Sequence, residues 1–166
     1  DFIILKPIDS QFALSFRTFA PAGLSEILVG ISLLIFLIFK INIYINPISI
    51  IFFIIMFSSG ILIIYSLWFL VATTSIWFVQ TMSISEVLRN LLISSRYPID
   101  AFPTTIKLLF TYLIPISFLT TLPAKTILGN LEIANIFTSL FLAFIAFSFS
   151  RKFWIFALRY YTSASS

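Results

Sequence analysis

Between Lys40 and Glu86 the chain carries no charged residue. The apolar part of that run, from about Ser49 to Gln80, is longer than the roughly 20 residues a helix needs to cross a bilayer. It is therefore read as a membrane span that tilts, bends or projects, with Ser58, Ser59 and Gly60 as the natural place for a bend. Composition extends the constraint to the whole chain. Of 166 residues, 60% are hydrophobic and 10% charged, whereas a soluble domain has roughly a quarter charged. The mean hydropathy is +1.12. That apolar content suffices for roughly four helices of about 20 residues. The expected fold is all-α: a polytopic transmembrane helical protein with about four spans plus interfacial amphipathic segments.

Along the chain, Asp1 to Gly23 is mixed, with Lys6, Pro7, Asp9, Arg17 and Pro21 among apolar residues, and reads as an interfacial or cytoplasmic segment. Residues Leu24 to Phe39 form a span that Ala20 to Gly23 can lengthen. Asn42, Asn46 and Pro47 mark a tight turn. After the long run, Met82 to Asp100 carries Glu86, Arg89 and Arg96 with Val87, Leu88, Leu91 and Leu92 at helical spacing. This predicts an amphipathic helix on the membrane surface, stopped at Tyr97 and Pro98. A third span is expected over about 102–122, weakened by Lys107 and Pro115, and a fourth over 133–150 after the polar break at Pro123, Lys125, Gly129, Asn130 and Glu132. The sum is a single transmembrane domain, residues 1–166, with spans near 24–39, 49–80, 102–122 and 133–150 and a basic, aromatic tail over 151–166.

With the first segment cytoplasmic, Lys6, Arg17, Arg89, Arg96, Lys107, Arg151, Lys152 and Arg159 fall on that side and only Lys40 and Lys125 outside, as the positive-inside rule requires. Both chain ends are then cytoplasmic, in a bacterial inner membrane or an organellar one. The opening residues show no signal-peptide pattern, and the expectation is a trimmed precursor or one piece of a larger membrane unit. No Asn-x-Ser/Thr sequon occurs.

The chain has no His, no Cys and 6 acidic residues. Haem, iron–sulfur and zinc sites, thiol catalysis and His-based acid–base catalysis lack their usual groups, so neither a catalytic residue nor a metal site is expected. The formal charge of +4 and pI near 9.6 fit basic cytoplasmic loops better than nucleic-acid binding. Glu26 and Lys107 are ionisable groups near span ends; either they act in function or they snorkel to the interface, the simpler reading. Ser58, Ser59, Gly60, Thr73 and Thr74 suit a polar pathway or close helix packing, the latter being commoner. Pro115 breaks or kinks a span. Trp68, Trp77, Trp154, Tyr160 and Tyr161 suit an interfacial belt.

Three stretches in order carry a resemblance: DFIILKPIDSQFALSFRTF at the start, SRYPIDAFPTTIKLLFTYLIPISFLTTLPAKTILG in the middle, and KFWIFALRYYTSASS at the end. Together they resemble the type-2 ABC exporter permeases, in the branch described as uncharacterised or multidrug permeases. The resemblance covers nearly the whole chain. It implies a membrane half-transporter without its own ATPase, binding no cofactor itself, that works with a second permease copy, as a homo- or heterodimer, and with a separate ABC ATPase subunit holding ATP and Mg. In that family a cytoplasmic segment before the third span contacts the ATPase, which here points to Asp1, Leu5, Lys6, Pro7 and Asp9. The substrate pathway lies at the dimer interface, and Pro115 to Gly129 corresponds to a partly re-entrant outer segment. Family members have six spans, so a polypeptide supplying two further spans is an expected partner beside the lipid membrane. The alternative is a non-catalytic accessory subunit of a larger membrane complex, for instance a respiratory one.

Overall fold

A computed structural model describes residues 9–16, 21–42, 45–78, 82–130 and 132–160. Every regular element among them is helical, in agreement with the all-α reading. The chain forms two compact units, Asp1–Tyr44 with Ser163–Ser166, and Ile45–Thr162.

In the first unit, helix α1 (Ser10–Ser15) begins at Asp9, whose carboxylate accepts a hydrogen bond from the Phe12 amide at 3.0 Å. This is the ordinary task of an Asp before a helix: it satisfies one of the amides that the first turn leaves unpaired. Helix α2 (Ala22–Ile41) is about 30 Å long, enough to cross a hydrocarbon core. Its large apolar side chains, such as Leu28, Leu33, Phe36 and Phe39, are exposed, as lipid as solvent permits. The helix stops at Asn42, which adopts the left-handed conformation (φ 52°) that Asn tolerates better than most residues.

The second unit is built on two long helices, α3 (Pro47–Thr74) and α7 (Ile133–Leu158). Asn46 caps α3 by accepting from the Ile48 amide at 3.0 Å, and Pro47 occupies the first turn, where its missing N–H costs nothing. The buried residues of α3 recur at intervals of seven, as Ser49, Met56, Ile63 and as Ser59, Ser66, Thr73. Helix α7 answers with Ile136, Ala143, Ser150 and Ala157. A seven-residue repeat on both partners is the signature of nearly aligned helices sharing one seam, and the small residues let the backbones approach. Five buried hydroxyls are satisfied within their own helices: Ser59 donates to the Ile55 carbonyl at 2.8 Å, Ser66 to Leu62 at 2.7 Å, Thr73 to Phe69 at 2.7 Å, Ser139 to Ile136 at 2.8 Å and Ser150 to Phe147 at 2.9 Å.

Ring contacts give the direction of the pair. Tyr65 lies 6.3 Å from Phe147, Phe69 lies 5.3 Å from Trp154, and Trp77 lies 5.6 Å from Phe153 and 6.0 Å from Tyr160. From Tyr65 to Trp77, just past the end of α3, the partners advance from Phe147 to Tyr160, so α3 and α7 run parallel. Residues 75–132 must therefore return the chain from the C-terminal end of α3 to the N-terminal end of α7. They do so through α4 (Met82–Ile93), two 3-10 turns (Ser94–Arg96 and Ile99–Ala101), α5 (Thr104–Leu108) continued by a π-helical turn (Leu109–Leu113), a further 3-10 turn (Ile116–Phe118) and α6 (Thr121–Ile127). Helix α4 is amphipathic: Leu88 is buried, while Glu86 and Arg89 are exposed and paired at 3.1 Å.

Two details differ from the expected spans. Helix α3 ends at Thr74 instead of continuing to Gln80, because consecutive hydroxyls turn back on the ladder, Thr74 to the Val71 carbonyl at 2.6 Å and Ser75 to Ala72 at 2.7 Å, and compete with helix continuation. It also runs unbroken through Ser58, Ser59 and Gly60. Gly60 serves close approach: a Cβ there would stand 2.5 Å from the Phe118 carbonyl oxygen and 3.0 Å from the Leu119 Cα. The backbone of the Ile116–Phe118 turn rests directly on α3. With Met56, Ile63, Ile136 and Ala143, Phe118 forms the buried core of this unit. Gly60→Ala is accordingly expected to destabilise the protein by about 1–3 kcal/mol, the usual cost of overpacking; a thermal unfolding midpoint equal to that of the parent in the same detergent would contradict this close contact.

Candidate functional site

The segment expected as a third straight span is two arms bent by 73°, Thr104–Tyr112 and Ile116–Ile127. Pro115 is the cause. It has no N–H to donate, and it pushes the preceding residue out of the helical region; Ile114 has φ −123° and ψ 84°. The first arm closes on itself by a wide turn, with the Ile114 amide donating to the Leu109 carbonyl at 2.9 Å. Such π-turns are frequent at functional sites.

Broken backbone at membrane depth must find partners within the protein. Threonines of the second arm supply them. The Thr121 hydroxyl oxygen accepts from the Ile99 amide at 3.1 Å, and the Thr120 hydroxyl donates to the Ser95 carbonyl at 3.1 Å. The Thr126 hydroxyl lies 2.9 Å from the Leu122 carbonyl and 3.2 Å from the Met56 sulfur of α3. The second arm is thus held on one side by the turns over 94–101 and on the other by α3.

A charge clasp joins the two arms. Lys107 of the first and Lys125 of the second both reach Asp100, each ammonium 2.5 Å from a different carboxylate oxygen. A straight helix would separate these lysines by about 27 Å, too far for two side chains meeting on one carboxylate. The expectation that Lys107 and Lys125 stand on opposite faces of the membrane is corrected here: the bend at Pro115 brings them to the same side. The Lys107 ammonium first, and the Lys125 ammonium next, hold the Asp100 carboxyl at about 2, below its ordinary 3.8.

Beside the clasp lies a cavity of about 660 Å³ whose lining includes Lys107, Thr111, Ser117, Lys125, Glu132 and Asn135. It reaches the first turn of α7, where Asn135 donates to Glu132 at 2.9 Å. Ser117 is 2% exposed, and its hydroxyl has no hydrogen-bond partner among the described residues.

The other residues singled out from sequence scatter. Asp1, Leu5, Lys6 and Pro7 lie outside the described residues; Asp9 caps α1. Ser59, Gly60 and Thr73 are spent on packing, Thr74 bonds within α3, and Ser58 is exposed on α3. Only Gly60 and Pro115 are brought to one place, through the turn that follows the proline. Glu26 is exposed on α2. Sequence reasoning missed Asp100, Ser117, Thr121 and Thr126. The available signal was the pair of lysines flanking a proline-broken apolar segment with one acid just before it.

For a carboxylate whose pKa is depressed on folding, the stabilisation is present above the unfolded value and lost as pH falls through the folded one. The clasp therefore stays closed at neutral pH and opens only as pH drops from about 4 towards 2. Asp100→Asn is expected to raise the reactivity of both Lys107 and Lys125 towards an amine-labelling reagent at neutral pH, read residue by residue by mass spectrometry. Unchanged labelling of either lysine would show that the carboxylate does not hold it.

No curated protein and no solved structure matches the chain. A family model described as ABC-2 family transporter protein matches residues 1–165. That match spans both units, the broken segment and nearly the full chain. Among the described residues, three helices long and apolar enough to cross a membrane, with the bent pair as a fourth candidate, fit an integral multi-pass protein. The chain belongs to the ABC-2 transporter family, whose members are membrane permeases of ABC transporters and work with an ABC ATPase.

Proposed function

We propose that this permease is one transmembrane half of an ATP-driven exporter, forming the translocation pathway with a second permease copy and taking its energy from a separate ABC ATPase that holds ATP and Mg. The family match over residues 1–165 carries this reading. Charge supports an orientation for it. Arg151, Lys152 and Arg159 lie at the C-terminal end of α7, where Trp77 packs against Phe153, Phe156 and Tyr160. Aromatic residues suit either membrane interface, and the basic excess at this end favours the cytoplasmic one. In that orientation α3 and α7 descend towards the ATPase, both chain ends are cytoplasmic, and the clasp with its cavity faces the opposite side.

Transport follows by alternating access. Nucleotide closes the ATPase dimer, which pushes the segment containing Asp1, Leu5, Lys6, Pro7 and Asp9, and the helices rearrange between inward-open and outward-open states. Direction requires that the cargo bind the two states with different affinity. The α3–α7 pair moves as one body, held by its shared apolar and aromatic contacts. The exposed face of α3 that carries Ser58 is then available to the pathway, whereas Ser59 and Thr73 are not.

Replacing Lys6, Pro7 and Asp9 together by Ala is expected to abolish permease-dependent stimulation of ATP hydrolysis in the reconstituted complex, by about tenfold or more (over 1.4 kcal/mol), while the protein stays in the membrane. Unchanged stimulation would remove the coupling assignment. Recovery of the native complex without any subunit carrying a Walker A motif would remove the ATP-driven reading itself.

A further inference from the structure

The hydroxyl of Ser117 is the starting point. Native structures rarely leave a buried polar group without a partner, and Ser117 is among the residues that line a cavity far larger than a single water needs. At about 660 Å³ the space is of the size that holds small ligands.

The charges that face it are arranged in two signs. Lys107 and Lys125 each carry three N–H donors, of which the clasp occupies one. Asp100 cancels only one of their two charges, so the clasp as a whole is positive. Glu132 lines the same space, and among the described residues only its Oε2 is engaged, by Asn135 at 2.9 Å. A simple anion would be drawn to the lysines and repelled by Glu132; a simple cation would meet the reverse. A ligand carrying both charges satisfies both at once, and matched pairing is what offsets the desolvation of charged groups. Depth adds to the argument. The cavity lies where Asn130 and Glu132 give way to the apolar run of α7, the level at which a bilayer presents its head groups.

We propose that this cavity binds a zwitterionic phospho-amine head group, with its phosphate between Lys107 and Lys125, its ammonium at Glu132 and a phosphate oxygen accepting from the Ser117 hydroxyl. This inference needs neither transport nor ATP, and its failure would leave the export reading untouched. The same chemistry has two sources, a membrane phospholipid or a soluble phospho-amine, and the test separates them.

The permease complex is placed in nanodiscs containing equal phosphatidylethanolamine and phosphatidylglycerol, and the lipids retained after release are counted by native mass spectrometry. The expected result is about fivefold preferential retention of phosphatidylethanolamine, equivalent to about 1 kcal/mol. Glu132→Gln should reduce that preference to within about twofold by favouring the anionic lipid. Ser117→Ala should lower phosphatidylethanolamine retention without lowering the unfolding midpoint, because the removed hydroxyl has no protein partner to lose. Retained lipid assigns the membrane source; binding of added phosphoethanolamine to lipid-stripped complex, with no lipid preference beforehand, assigns the soluble one. Equal retention of the two lipids together with no binding of phosphoethanolamine, or a preference unchanged by Glu132→Gln, overturns the proposal.

Discussion

Two membrane helices that run in the same direction cannot be joined by a short turn, and the larger unit is organised around that constraint. α3 and α7 share a seam set by a seven-residue repeat of small and apolar side chains on both. Having packed in parallel, they oblige the intervening chain to cross back. In water such a return could be an irregular loop; in lipid every amide and carbonyl on the way needs a protein partner. The return path is accordingly a series of short helical pieces, and where Pro98, Pro103 and Pro115 interrupt the ladder, threonine hydroxyls and 3-10 bonds take up the slack. Gly60 belongs to the same logic: α3 can carry the backbone of Phe118 and Leu119 directly on its surface there because it has no side chain.

The clasp at Asp100 solves a related problem by charge. Isolated lysines within a span snorkel towards the nearest interface, and two lysines at the ends of a straight span would leave in opposite directions. Here the proline bend lets one carboxylate collect both. Exposed ion pairs are individually weak, and these are well exposed; what distinguishes this one is that a single acid joins two arms of a broken helix. Because its carboxyl is held at about 2, no physiological acidification releases it. A motion that opens the hairpin has to come from mechanical work or from a competing anion, not from pH.

Much of the helical framework was legible before any coordinates, because it rests on one-dimensional quantities. An uncharged apolar run, Asn46 before Pro47, and a Pro inside an apolar stretch all act locally. The parallel direction of α3 and α7 was not legible: apolar helices of similar composition carry no mark of which face meets which partner, except the seven-residue spacing of Ser59, Ser66 and Thr73. That spacing would have separated buried Ser59 from exposed Ser58, which composition treats as equals. The clasp escaped for a different reason. Asp100 and Lys107 are divided by Pro103, and Lys125 lies beyond Pro115, so sequence reasoning placed Lys107 near the start of the third span and Lys125 in the polar break after it, and counted them on opposite sides. A contact that exists only because the chain bends cannot be read from an argument that assumes straight spans.

The distribution of polar groups also bears on how such a permease can work. Within the α3–α7 seam the hydroxyls of Ser59, Ser66, Thr73, Ser139 and Ser150 are bonded to their own backbones, so none of these bonds has to break if the pair shifts as a body, and none guides a substrate along it. The broken segment is the reverse. Its polar groups bond between elements, to Asp100, to the backbone of 95–99 and to Met56, and one of them, Ser117, bonds to no described residue at all. A rigid, self-satisfied pair carries load with little internal rearrangement; a hairpin fastened by a few exchangeable contacts can trade those contacts for others. The chemistry that responds to a bound molecule is therefore concentrated at the hairpin, and the chemistry that transmits force is concentrated in the seam, with Met56 and Gly60 among the points where the two touch.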